Sequence, residues 1–380
     1  MAVLALSIDA LLTATILVGG LEHRGICFDR LAVIVGVSLE RITQLCELVC
    51  VNAVFEVSHQ FAHSVLAQHE SPFASALTLS YDGGGDDGCF NVFVSNRTSW
   101  PVQVYYRPIC PGAVYAVLGL LVPEVHVSGE SCKSVWMTHF LAIAGKVMAY
   151  ASLGKENPEL TGLMRDFMEN WERELPYSKC EQYATELQNM QRIAGLNRSH
   201  GGLFASVEPP VGAVERSAAS AGGATLAASI QRMLEGLTTE TLTPFLERYA
   251  DSVEGIAIVG GCALNVRVNQ LVAELAATYG LPTYVPAAPN DAGIIVGAIW
   301  ALDPPSNRPS SLAYVGPLLF DTARLDEFVH ARGATKTDPS QLATHFALGH
   351  VIAVARGRTG SFQCYACLLK HRNERRCVSM

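Results

Sequence analysis

Short apolar runs alternate with longer stretches of helical period along this chain, the pattern of an α/β protein. VLALSI at 3–8 ends in Asp9 and is followed by LLTATILVGG, which predicts strand, acidic turn, strand. LAVIVGV at 31–37 predicts another strand. SLERITQLCELVCVNAVF, from Ser38 to Phe55, carries apolar residues at helical spacing with Ser38 as N-cap. ALTLSYDGGGDDGCFNVFV at 76–94 predicts two strands around a turn rich in Gly and Asp. Residues 94–135 hold prolines 101, 108, 111 and 123 and give no clear period, apart from PGAVYAVLG, a helix start with Pro in its first turn.

The second half is more regular. HFLAIAGKVMAYASLGK at 139–155 predicts an apolar helix with Lys146 in its middle. Residues 156–200 are charged and helical, and predict an inserted layer over a sheet edge. Residues 217–250 predict a helical pair rich in small residues. IAIVGG at 256–261, followed by CALNVRVNQLVAELAATYG, predicts strand, Gly-Gly turn, helix. LPTYVPAAPNDAGIIVGAIWAL at 281–302 predicts a strand ending in Pro, a turn with Asn290 and Asp291, then a helix. PPSNRPSS at 304–311 has the composition of a linker. A helix-like DTARLDEFVHARG and the apolar run HVIAVARGR follow.

The pattern places chemistry at two turns. His59 and His63 are four apart, so on a helix both imidazoles lie on one face, as a single metal ion requires. The turn that Asp82 enters offers close-packed backbone N–H groups, and its glycines let a phosphate approach. Asp291, just before a helix, is a candidate third ligand. The plain alternatives are a half-buried helical face and an ordinary hairpin. A calcium loop is excluded, because the sixth and twelfth positions from Asp82 are Asp87 and Phe93 instead of Gly and Glu. The Gly260-Gly261 turn before a helix can bind an anion or a nucleotide. It is neither a dinucleotide fingerprint nor a Walker loop.

Composition narrows the function classes. The chain has 380 residues, 49% apolar and 16% charged, which suits large buried sheets. A net charge of −8 argues against a general nucleic-acid surface, and the only concentrated basic run, LKHRNERR, is short. The apolar N-terminal run is broken by Asp9 and lacks a positive leader, and VYAVLGLLVP is too short to span a bilayer. The expectation is a cytoplasmic protein without membrane partners. Eleven scattered cysteines favour free thiols over a disulfide framework. Cys364, Cys367, His371 and Cys377 form a weak zinc pattern that lacks a second well-spaced pair.

The acidic turn at Asp9, the LTLSYDGGGDDG hairpin and the IAIVGGCALN turn together resemble the actin/sugar-kinase/Hsp70 superfamily. SHQFAHSVLAQHESPF, LTLSYDGGGDDG, AGKVMAYASLG, AIVGGCALNVRVN and VPAAPNDAGIIVGA, in that order over about residues 55–300, resemble the O-carbamoyltransferases of nodulation and antibiotic tailoring. The resemblance implies a two-lobed α/β fold with ribonuclease H-like lobes and a nucleotide cleft. It implies a family N-terminal domain over 1–305, with lobe I about 1–76 and lobe II about 77–305, and the start of a second domain over 306–380. It implies ATP and carbamoyl phosphate as substrates, a carbamoyl-adenylate intermediate, and a hydroxyl of a sugar or polyketide as acceptor. His59, His63 and Asp291, with Asp82 joining directly or through water, would hold a divalent metal, iron(II) by family habit. Asp9, Asp82, Gly83, Gly84, Lys146, Gly260, Gly261, Asn265 and Asn290 would meet the nucleotide. A homo-oligomer is left open.

The chain departs from the family pattern at three places. Ser58 stands where a first histidine is usual, and Ser7-Ile8-Asp9 replaces a Gly-His-Asp-type turn. After Gly357-Arg358 the family's Gly-Pro-Arg motif is missing, and the tail from about 359 is expected to be disordered and to lack the carbamoyl phosphate site. Two alternatives therefore stand beside carbamoyl transfer. One is a small-molecule kinase or nucleotide hydrolase on the same scaffold, and the other a non-catalytic nucleotide-binding protein.

Overall fold

The structure, a computed structural model, describes residues 3–6, 27–86, 88–125, 140–170, 184–195, 221–309, 324–333, 338–348, 352–354 and 367–369. Asp9, Cys364, His371 and Cys377 lie outside the described residues. The chain divides into two compact units, Met1–Pro309 and Ser310–Met380. The larger has the mixed α/β character that the alternating pattern predicts.

It begins with β1 (Val3–Leu6), β2 (Cys27–Phe28), β3 (Arg30–Ile34), α1 (Leu39–Leu48), β4 (Cys50–Val51) and β5 (Val54–Val57). β1, β3 and β5 form a parallel sheet in the order β1-β3-β5, and β2 pairs with β4. Ser38 caps α1 as expected, its side chain accepting from the Arg41 N–H. The helix stops at Leu48, well before Phe55. Beyond it, Val49, Val51 and Val54 are β-branched residues with a sheet to join, and the Asn52 N–H donates to Phe28 O at 3.0 Å. Sheet pairing here overrides a helical period. The expectation of free thiols holds at Cys46, Cys89, Cys110 and Cys262 and is corrected at Cys27 and Cys50, which form a disulfide across β2 and β4. It closes a loop of 23 residues, worth about 3 kcal/mol in the chain-entropy account. A reducing compartment would open so exposed a bridge.

α2 (His59–Glu70) follows, and all but two of its residues are buried. It lies between sheets. One side packs on Ala32, Ile34 and Val57 of the first sheet through Ala62, and another meets Ala257 and Val259 through Ala67. β6 (Ser75–Tyr81) and β7 (Phe90–Asn96) form the predicted antiparallel hairpin. β8 (Ser99–Arg107) extends it as an edge strand. The sequence gives little sign of β8 because Pro101 interrupts it, yet an edge strand tolerates a missing N–H.

The helices α3 (Pro111–Gly119), α4 (Phe140–Tyr150), α5 (Pro158–Asn170), α6 (Ala184–Ile193) and α7 (Ala221–Tyr249) come next. α7 is one helix of 29 residues where a pair was expected. Its threonine-rich stretch stays helical because Leu234, Leu237, Leu242 and Leu246 bury one face in the main core, while the hydroxyls of Thr238, Thr239 and Thr243 find partners in carbonyls one turn back. β9 (Gly255–Val259), a 3-10 turn at Gly261–Leu264, α8 (Val266–Thr278), β10 (Thr283–Tyr284) and α9 (Asp291–Leu302) complete the unit.

The second sheet runs β10-β9-β6-β7-β8, with β6, β9 and β10 parallel. Alternation along β6 decides what each face meets. Leu77, Leu79 and Tyr81 point into the main core with Val114, Leu118, Ile143 and Ile230 of the helical layer. Ser80, on the other face, donates to Gln60 of α2. α9 packs against α2 and the first sheet. The helices come close because Gly293 and Gly297 of α9 have no side chain. A Cβ at Gly297 would collide with the Ala62 carbonyl, and one at Gly293 would lie 2.7 Å from Leu66 Cδ2. That close crossing carries Asp291, the first residue of α9, to the N-terminal turn of α2.

In the smaller unit α10 (Leu325–Ala331) and α11 (Pro339–Ala347) precede β11 (Ile352–Val354), which pairs antiparallel with β12 (Cys367–Leu369). Within the tail from 359, Cys367–Leu369 form a strand.

Candidate metal centre

Three separate stretches supply one cluster. His59 and His63 sit one turn apart in α2, Asp82 follows β6, and Asp291 opens α9. One ligand atom from each of the four lies within 4.8 Å of the other three. His59 Nε2 is 3.5 Å from Asp82 Oδ2 and 3.3 Å from Asp291 Oδ1. His63 Nε2 is 3.1 Å from the former and 3.3 Å from the latter. The structure thus brings together the three residues expected to share an ion, with Asp82 as a fourth.

The contacts are those of groups facing a common point. His59 Nε2 and Asp291 Oδ1 are buried atoms without a hydrogen-bond partner among the described residues, although each lies near the other. A cation between them would satisfy both, as would protons on the imidazoles. The donor set of two imidazoles and two carboxylates fits a divalent transition ion. His63 Nδ1 is buried without a hydrogen-bond partner among the described residues. Exposure is uneven: the side chains of His59, His63 and Asp82 are 14%, 0% and 11% exposed, whereas Asp291 is 44% exposed. The centre is therefore open on the Asp291 side.

The charges respond to one another. Burial by itself lowers the His59 pKa, but the Asp291 and Asp82 carboxylates outweigh it and raise it to about 10. His63 is raised in the same way, burial again opposing. Both carboxyls titrate low: burial pushes them up, and the two imidazoles more than reverse it. In the metal-free chain the two histidines hold protons that a metal ion must displace. Metal affinity is therefore expected to rise with pH, by about tenfold per pH unit for each proton released. Calorimetry in buffers of different ionisation enthalpy counts those protons, and a pH-independent affinity would remove the histidines from the site. The sign for stability is opposite. A folded His59 pKa above its ordinary 6.5 stabilises the metal-free chain below that pH, and the contribution is lost as pH climbs towards about 10.

The Asp82 turn is held by residues that carried no signal of their own. Asp86 Oδ1 accepts the His59 N–H at 2.7 Å and so starts α2, a role that the DGGGDDG run hides among its other acids. Gln60 Nε2 reaches Gly84 O at 3.4 Å, and no period singles it out. Asp82 Oδ1 accepts the Gly83 N–H at 2.6 Å, which leaves Oδ2 for the centre.

The second glycine turn touches the first. Gly260 has φ of +89°, a left-handed conformation that glycine adopts freely, and a Cβ there would strike the Tyr81 carbonyl. A Cβ on Gly261 would lie 2.7 Å from Asp82 Oδ1. The Gly260 N–H donates to Pro289 O at 2.7 Å, tying this turn to the loop before Asp291. Asn290 is the N-cap of α9. Asn265 caps α8 through the Val268 N–H, and its amide pairs both ways with Gln231 of α7. Its polar atoms are thus engaged within the protein. Lys146 is exposed on α4, a helix packed on α3 and α7.

Comparison with known proteins agrees in part. The sequence matches a family described as carbamoyltransferase N-terminus over residues 9–300. No curated protein matches it. Among solved structures, full-length HypF in its phosphate- and nucleotide-bound form is 14% identical with a TM-score of 0.37, covering 75% of this chain and 40% of that one. HypF of T. kodakarensis is 14% identical with a TM-score of 0.32, covering 72% of this chain and 40% of that one. The chain spans about two fifths of the length of these structures.

Proposed function

Because the chain belongs to the carbamoyltransferase N-terminus family, we propose that it serves ATP-dependent O-carbamoyl transfer. In this reading a carbamoyl group passes from carbamoyl phosphate, through carbamoyl-adenylate, to a hydroxyl of a small metabolite such as a sugar or polyketide. The observation that carries the reading is the convergence of His59, His63, Asp82 and Asp291 beside two touching glycine turns. A divalent ion bound there, iron(II) by family resemblance, would neutralise phosphate charge.

The protein's own groups supply the rest. The open Asp291 side is where phosphates would enter. Gly83 and Gly84 lie one and two residues past Asp82, where backbone N–H groups can meet them. Gly84 suits close approach, since nothing lies within 4 Å of where its Cβ would be. Gly260, Gly261 and Asn290 would border the nucleotide from the other turn, with Asn265 supporting them from behind. Asp9 and Lys146 are further nucleotide contacts proposed from the family resemblance. The β6-β7-β8 meander, continued in parallel by β9 and β10, supports a ribonuclease H-like lobe. The parallel β1-β3-β5 sheet would belong to its companion in a two-lobed arrangement.

Calorimetric titration with ATP, with and without iron(II), tests the binding step. Tight binding only with metal is expected. Gly84→Ala, which fills empty space, is expected to weaken ATP by about tenfold without lowering the melting temperature. ATP binding indifferent both to metal and to Gly84→Ala would overturn the phosphate assignment. Pyrophosphate release that requires carbamoyl phosphate identifies the transferase, ADP release a kinase or hydrolase.

A further inference from the structure

Three free cysteines surround the Asp82 turn and take no part in the metal centre. Cys89 closes the turn just before β7, Cys110 is the N-cap of α3, and Cys262 lies in the 3-10 turn after Gly261. Cys89 and Cys262 are buried, while Cys110 is partly exposed. The side chains of Cys89 and Cys110 lie close enough to interact. Cys262 is close by, since a Cβ on Gly112 would lie 3.0 Å from its Sγ.

The pair is built into the support of a metal ligand. The Asp82 N–H donates to Cys89 O at 2.7 Å, and the Gly112 N–H, in the first turn of α3, donates to Asp82 O at 3.1 Å. Asp82 is thus strung between the backbone of one cysteine and the helix that the other begins. An accessible thiol at the positive end of a helix, with a second thiol close by, is the arrangement of an oxidation-sensitive pair.

We propose that Cys110 and Cys89 are a thiol pair that a peroxide joins as a disulfide, and that the bond draws Asp82 away from the metal centre. The Cys110 thiolate attacks one peroxide oxygen and the O–O bond breaks. Cys110 becomes a sulfenic acid, and the released hydroxide takes up the thiol proton as water. The Cys89 sulfur then attacks the Cys110 sulfur. An S–S bond forms, the S–O bond breaks, and a second water leaves with the Cys89 proton. Two thiols lose two electrons and the peroxide gains them. The sulfurs close to roughly 2.0 Å, which shifts the backbones that hold Asp82. The pairing stands on the cysteines alone, whereas its effect on metal rests on the function proposed above.

The test treats the reduced 380-residue chain with hydrogen peroxide, alkylates it, and maps the peptides by mass spectrometry. A Cys89–Cys110-linked peptide, lighter by two hydrogens than its reduced pair, is expected. Metal affinity of the oxidised chain should fall by about tenfold, the scale of losing an outer-sphere support, and recover with a dithiol reductant. Cys110→Ser should bind metal as tightly as the reduced chain and resist the peroxide-induced fall. Recovery of Cys110 as an unlinked sulfinic acid, of Cys89 joined to Cys262, or of all three thiols unreacted would overturn the pairing even if the variant fails to fold. A linked chain with undiminished metal affinity would overturn the coupling. If the reduced chain binds no metal, the centre itself fails while the map still judges the pair.

Discussion

Asp82→Asn should cost the chain its metal ion while leaving its fold in place. Asparagine keeps the volume of Asp82, and its Oδ1 can still accept the Gly83 N–H that the carboxylate accepts at 2.6 Å. What changes is one negative charge facing His59 and His63. Affinity should fall by about 100-fold or more, at or beyond the upper end of what losing an outer-sphere partner costs. The same substitution removes one of two carboxylates that raise the histidine pKa values, so the His59 ring should titrate well below its wild-type value of about 10. A stability loss of about 1–3 kcal/mol is expected in the metal-free chain, from leaving the buried His63 short of a charged partner. NMR titration of the imidazoles and metal titration at neutral pH read the two effects separately. Unchanged metal affinity with a lowered histidine pKa would show that Asp82 serves the histidines and not an ion.

Gly261→Val should be nearly as damaging, and for a reason the sequence did not suggest. In sequence terms Gly261 belongs to a turn against the nucleotide. In the structure its Cα faces Asp82, and a Cβ would lie 2.7 Å from Asp82 Oδ1. That oxygen belongs to a short side chain held by the Gly83 N–H and by the backbone bonds of Asp82, so it has little room to yield. Valine adds two further methyl groups to that collision. Overpacking of this kind costs about 1–3 kcal/mol in folding, and the displaced carboxylate should cost metal about 10- to 100-fold in affinity. Gly84→Ala is the control, because its Cβ meets nothing within 4 Å. A folded Gly261→Val chain with normal metal affinity would refute the contact between the two turns.

The residues that converge on the candidate centre were legible because each follows a local rule. His59 and His63 share a helix face by spacing, and Asp291 precedes a helix that a Gly/Ala-rich run announces. The β6-β7 hairpin was legible from its Gly/Asp turn between apolar strands. The misreadings fall where long-range contacts decide. The helical period of 38–55 gives way at Leu48 because β2 and β3 offer pairing. α7 continues through its threonines because Leu237, Leu242 and Leu246 pack its face into the main core. Gln60 and Asp86 gain their roles only when the turn folds back on α2. The Cys27–Cys50 disulfide depends on two short strands that no period marks.

The most direct test of the account is X-ray absorption of the chain loaded anaerobically with iron(II) and freed of unbound metal. The account predicts about one iron per chain with oxygen and nitrogen neighbours at about 2.0–2.2 Å, the multiple scattering of two imidazoles, and no sulfur. Iron with sulfur neighbours, or a chain that retains no iron although folded, would contradict it.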